Sequence, residues 1–189
     1  MHSRSHPQQV IDMRSTDLLT QEHKFILRAL DVLDALTASM EARDEFDEVA
    51  VDRVLDFLRW FGDAHHQAKE ETILFPAIEA CAGARDRPVR HMMFEHDQER
   101  QSIEDLEKDM RLGKLSDFVA TANKLSSTLR NHIYKEDQLL FPEADSLLSS
   151  QQDDAIFEQL QRFDTSLDKQ TLEHKQSELH SFEWKYLRK

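Results

Sequence analysis

The chain has 189 residues, 39% of them hydrophobic, enough for one domain with a buried core. Only three Gly and four Pro, with 32% charged residues, exclude a turn-rich sheet protein and point to long amphipathic helices. A net charge of −13 excludes a phosphate-binding surface, and with it a nucleic-acid partner.

Residues 1 to about 15 are polar and carry His2, His6 and Pro7, which reads as a mobile lead segment. It lacks a signal-like apolar stretch, and no apolar run of bilayer length follows. The single cysteine, Cys81, allows no intramolecular disulfide and no thiolate cluster. The expectation is a cytoplasmic protein with no membrane contact.

The first helix is expected to start at Ser15 or Thr16 and run to about Met40. Leu19, His23, Ile26, Leu30, Leu33 and Met40 form its buried stripe. Glu41 to Glu48 reads as an acidic loop. The second helix takes Val49 to about Ala82, with Leu55, Leu58, Gly62, His66, Glu70 and Ile73 inward and a kink at Pro76. Gly62, one turn before His66, either leaves space beside a bound ion or allows close helix packing. Gly83 ends this helix, and Pro88 helps start a third, from about Arg87 to Arg111, with Met92, His96, Ile103, Leu106 and Met110 inward.

After a turn at Gly113, Ser116 is the expected N-cap of a fourth helix. Its inner face is Phe118, Ala122, Leu125, Leu129, His132, Glu136 and Leu139. Short connections imply an all-α, up-down-up-down antiparallel four-helix bundle over residues 16–150. Residues 151–189 suggest further helices, with an aromatic tail at Phe182, Trp184 and Tyr186. That tail packs either on the bundle or on a second copy of the chain, giving a homodimer.

Two stretches repeat one another without a gap: His66-Gln67-Ala68-Lys69-Glu70-Glu71-Thr72-Ile73-Leu74-Phe75-Pro76 and His132-Ile133-Tyr134-Lys135-Glu136-Asp137-Gln138-Leu139-Leu140-Phe141-Pro142. In each, a His precedes a Glu by four residues, so imidazole and carboxylate share a helix face. Each pair follows, one helix earlier, an inward His in a Glu-His dipeptide: Glu22-His23 and Glu95-His96. Buried carboxylates need partners. His23, His66, Glu70, His96, His132 and Glu136 are therefore expected to hold two metal ions.

The six side chains offer four nitrogens and four carboxylate oxygens. Two six-coordinate ions have about twelve positions, so with a bridging oxygen about two stay open for a small ligand. Imidazole with carboxylate suits iron, with manganese or zinc as alternatives, and the absence of thiolates argues against an iron–sulfur cluster. His65 and His91 lie off the ligand face. Glu71 and Asp137 are expected to be either solvated or behind the ligands rather than on the metal, and Tyr134 is expected to point away.

The ligand order, the K-E-E/D-x-x-L-F-P tails and the Glu95-His96…Arg100 segment resemble the hemerythrin-like HHE cation-binding family over about residues 16–150. The resemblance implies a non-heme diiron centre, oxo- or hydroxo-bridged, with the six ligands above. Oxygen-carrying hemerythrins place a second His four residues before the one on the third helix. Here that position is Met92, which speaks against simple reversible oxygen carriage. The expected function is binding or sensing of dioxygen, nitric oxide or peroxide, or holding iron. The alternative is a diiron redox enzyme that disproportionates peroxide, reduces nitric oxide or repairs iron centres.

Overall fold

The computed structural model describes residues 13–82, 87–167 and 169–187. The lead segment with His2, His6 and Pro7, and the helix stop at Gly83, lie outside the described residues.

Helix α1 spans Ser15–Arg43. It outlasts the expected end at Met40 because Asp44, in the left-handed region at φ 53°, closes it, and Glu45 donates its N–H back to the Met40 carbonyl. The loop therefore shrinks to residues 44–47, and Asp47 caps α2 (Glu48–Phe57) by accepting from the Ala50 N–H. The helix begins at Ser15, within the expected start, with Arg14 at its N-cap. Ser15 is buried, its hydroxyl donating to Asp153 at 2.6 Å.

From α2 the chain stays helical to Ala82. It passes through wide turns at Leu58–Gln67 and Glu70–Leu74 before α3 (Phe75–Ala82). The second of these explains why Pro76 does not break the rod. The Phe75 N–H bonds to the carbonyl of Glu70, five residues back, and such a π-type turn relaxes the backbone where a proline follows. The repeat does the same: after α5 (Leu115–Lys135) comes a wide turn at Glu136–Leu140, and Phe141 bonds to Glu136 ahead of Pro142. Both of the widened turns that precede a proline begin at the Glu of a His-x-x-x-Glu pair.

The extra residue shifts the inner face. Leu74 and Leu140 are buried, whereas Ile73 is half-buried and Leu139 is 63% exposed, which corrects the stripe expected from α-helical spacing. A second correction concerns Ser116. Gly113 takes φ 64° and ends α4 (Arg87–Arg111), the helix restarts at Leu115 behind Lys114, and Ser116 falls inside the first turn.

Helix α1 packs on α2 and α5, and α4 packs on α5 and the α2 rod, which closes the four-helix bundle. After α6 (Phe141–Leu147), α7 (Ser150–Ser166) and α8 (Lys169–Tyr186) fold back onto the bundle. Among the described residues there is no strand, and no helix is long and apolar enough to cross a membrane.

The core is in two parts. One cluster joins Leu30, Leu33, Leu55, Phe61, Phe118 and Leu125 to Leu179 and Phe182 of α8. The other joins Leu19, Leu74, Phe75, Met92, Leu140 and Phe141 to Ile156 and Leu160 of α7. Both C-terminal helices therefore contribute to the core. Trp184, expected in the aromatic tail, is 66% exposed.

Candidate metal centre

His23, His66, Glu70, His96, His132 and Glu136 converge in a polar layer between the two apolar clusters, each at most 2% exposed. The arrangement has pseudo-twofold symmetry. His23 and His66 meet edge to face with ring centroids 4.6 Å apart, and His96 and His132 do so at 4.8 Å. The phenylalanine of each Leu-Phe-Pro backs a histidine of the other half: Phe141 stacks on His23 at 5.5 Å and Phe75 on His96 at 5.7 Å.

Each imidazole turns the same nitrogen outward. Nδ1 of His23 donates to Asp137 (2.8 Å), of His66 to Glu22 (3.0 Å), of His96 to Glu71 (2.7 Å) and of His132 to Glu95 (2.9 Å). An ionised carboxylate only accepts, so each Nδ1 carries a hydrogen, and each Nε2 faces its neighbours across the layer, where it can take a proton or offer its lone pair to a metal ion. Of the two places open to them, Asp137 and Glu71 thus take the one behind the histidines. The parts played by Glu22 and Glu95 were not expected, although both precede an inward His.

The inward atoms are unsatisfied. His23 Nε2, His66 Nε2 and all four carboxylate oxygens of Glu70 and Glu136 are buried with no hydrogen-bond partner. Some approach closely, His23 Nε2 to Glu136 and His132 Nε2 to Glu136 both at 3.2 Å, but no aligned bond satisfies either carboxylate. His96 Nε2 and His132 Nε2 stand 3.1 Å apart, two lone pairs face to face unless a cation lies between them. So many orphaned donor atoms in one buried layer fit a cation. The potential ligand atoms fall into two overlapping groups, His23, His66, Glu70 and Glu136 in one and His96, His132 and Glu136 in the other.

Charges follow the same logic. Burial lowers the basicity of His66, but Glu70 and Glu22 outweigh it and raise it to about 10. Burial likewise opposes His132, which Glu136 raises to about 10. Burial penalises ionised Glu136, yet His132 and His23 hold it well below the usual carboxylate range. Protons on these imidazoles take the place of a metal's positive charge.

A small cavity of about 20 Å³ adjoins the layer, touching His66, His132, Gly62, Gln67, Glu99 and Leu129. A methyl group added at Gly62 would meet nothing within 4 Å, so the glycine leaves space rather than allowing close packing. Gln67 Nε2 donates to Glu99 Oε2 at 2.5 Å, and the remaining oxygen of each is buried without a partner. Burial raises the Glu99 carboxyl despite the nearby His132 and His96. Glu99 lies on the inward stripe of α4, between His96 and Ile103, and that position was its signal in the sequence.

The other residues weighed lie apart from the layer. His65 is buried but bonds through Nε2 to Asp164 at 2.8 Å. His91 is exposed and 3.1 Å from Glu95, and Tyr134 is 63% exposed. Met92 packs into the apolar cluster below the layer.

A family model, the Hemerythrin HHE cation binding domain, matches residues 14–144. The chain belongs to the hemerythrin HHE cation-binding family. The match ends before α7, so the last two helices of this hemerythrin-like chain lie beyond the family segment. No curated protein matches the chain.

Proposed function

We propose that this hemerythrin-like protein holds two metal ions, iron by preference, and binds a small ligand such as dioxygen, nitric oxide or peroxide at them. The observation that carries this reading is that His23 Nε2, His66 Nε2 and the four carboxylate oxygens of Glu70 and Glu136 have no partner, while the Nδ1 of each of the four histidines is satisfied. His23 and His66 would hold one ion and His96 and His132 the other, with Glu70 and Glu136 shared. Glu136 belongs to both groups of potential ligand atoms, and Glu70 Oε2 lies 3.5 Å from His96 Nε2. Imidazole and carboxylate donors without sulfur suit iron, then manganese or zinc. When bound, iron supplies ligand binding and electron exchange. The chain orients the imidazoles through their Nδ1 carboxylates, excludes bulk water with the two apolar clusters, and keeps room for a few atoms beside Gly62.

Glu99 favours a second reading, a redox enzyme acting on peroxide or nitric oxide. Its carboxyl lines the cavity, and burial favours a proton there that can pass to a bound ligand.

Mixing the reduced, iron-loaded protein with dioxygen, nitric oxide and peroxide separates the two. A reversible spectral change without consumption is expected for binding; sustained consumption of one reagent establishes the enzyme; no change with any of them contradicts both. Gly62→Ala should slow ligand association several-fold while stabilising the fold by roughly 0.5–1 kcal/mol, because alanine costs less than glycine within a helix. Unfolding midpoints and stopped-flow rates check the two halves of that expectation.

A further inference from the structure

The two halves of the layer are built alike but end differently. Glu22 accepts from His66 Nδ1 and from Lys69 Nζ; its counterpart Glu95 accepts from His132 Nδ1 and from Lys135 Nζ. The repeat equates the two lysines, each three residues after a His of the layer. What stands beyond them differs. The Lys135 side chain is 19% exposed and Glu95 22%, so water reaches this pair. Lys69 is fully buried, and its Nζ makes a further bond, 2.8 Å to Asp164 of α7. Asp164 also accepts from His65 Nε2, and the His65 ring lies flat on Trp60 with centroids 5.7 Å apart. Glu22, His65 and Asp164 cluster closely enough to suggest a third cation site, but Lys69 Nζ bonds both carboxylates and supplies the positive charge itself.

We propose that the C-terminal extension, through Asp164 and Lys69, tightens the metal position of His23 and His66 and leaves that of His96 and His132 as the exchangeable one. The inference rests on the two-ion reading above. A buried lysine shared between two carboxylates neutralises each only in part. Glu22 therefore keeps charge to pull on the His66 Nδ1 hydrogen, which makes Nε2 a stronger donor. Burial also fixes both side chains and leaves the pull unscreened. In the other half, water competes for the oxygens of Glu95 and screens its charge. Asp164 lies outside residues 14–144, so this brace is an addition to the family segment rather than part of it.

Release of iron(II) from the reduced, loaded protein to excess ferrozine tests the inference. Two phases of equal amplitude are expected, with rates at least about tenfold apart, the size of effect that groups behind a ligand exert on metal affinity. Asp164→Asn should speed the slow phase about tenfold and spare the fast one, and Asp164→Glu should restore most of the difference. Glu95→Gln should speed only the fast phase. Leu160→Ala loosens the same helix without touching the network, and should not move the slow phase relative to the fast. Single-phase release of two irons from the wild type, or equal acceleration of both phases by Asp164→Asn, overturns the inference and leaves the two-ion reading standing. A chain that cannot hold two ions overturns both. The wild-type measurement decides without any variant, and circular dichroism shows that each variant is folded.

Discussion

Glu136→Ala is expected to cost the chain both metal ions and to weaken the metal-free fold by about 3–5 kcal/mol. The carboxylate lies 3.2 Å from His23 Nε2, 3.2 Å from His132 Nε2 and 3.9 Å from His96 Nε2, so it faces both halves of the layer at once. No other member of the six belongs to both groups of potential ligand atoms. Its loss therefore leaves each ion with one donor fewer and removes a link between them. Without metal the damage is electrostatic. His23 and His132 stay basic in a buried layer partly because Glu136 balances them, and without it they must lose their protons or stand as unpaired charges. Glu136→Gln keeps the shape and one acceptor oxygen, so it should unfold less readily than the alanine variant while still losing metal. Elemental analysis and urea unfolding of the metal-free proteins check both points. Two ions retained by Glu136→Ala would show that the centre lies elsewhere.

The second large effect is a pH dependence that metal reverses. His66 and His132 are raised from an ordinary value near 6.5 to about 10 in the metal-free fold. The folded protein therefore binds more protons than the unfolded chain between these values. The stability these groups contribute is full below about pH 6.5 and is lost as pH rises through about 10. Glu136 and Glu22 act in the opposite sense. Both are lowered, so their contribution is present above the usual carboxylate range and is lost as pH falls through their depressed values. Metal-free protein should thus be most stable in mildly acidic solution and should weaken steadily from pH 7 to 10. Metal and protons compete for the same Nε2 lone pairs, so loading at pH 7 should release protons, affinity should rise with pH, and loaded protein should lose the alkaline weakening. Urea midpoints at pH 6, 8 and 10 with and without metal test the first part. Calorimetry in buffers of different ionisation enthalpy tests the second. A flat midpoint across this range in metal-free protein would contradict the account.

The convergence of His23, His66, Glu70, His96, His132 and Glu136 was legible because polar side chains interrupted apolar stripes of helical period, and because one interruption repeated in a fixed frame. The stripe failed where the helix left α geometry. Ile73 and Leu139 were read one position early, since the spacing rule holds only for 3.6 residues per turn and the wide turns at Glu70 and Glu136 add to it. The prolines that require those turns are visible in the sequence, but a kink and a widened turn leave the same trace there. The carboxylates behind the histidines were half legible. All four reach a histidine on another helix; Glu71 and Asp137 stood out because each follows a ligand carboxylate in the repeat, whereas Glu22 and Glu95 were seen only as the residues before His23 and His96. Asp164 gave no signal, because its partners His65 and Lys69 lie far back in the chain and a buried lysine cannot be told from an exposed one by composition. Gly62 was noticed, and the open space beside it decides between the two roles it offered.

Anaerobic titration of metal-free protein with iron(II), followed by counting the iron retained per chain, tests the central claim most directly. The account predicts saturation at two ions per chain. Saturation at one ion, or none retained, would contradict it.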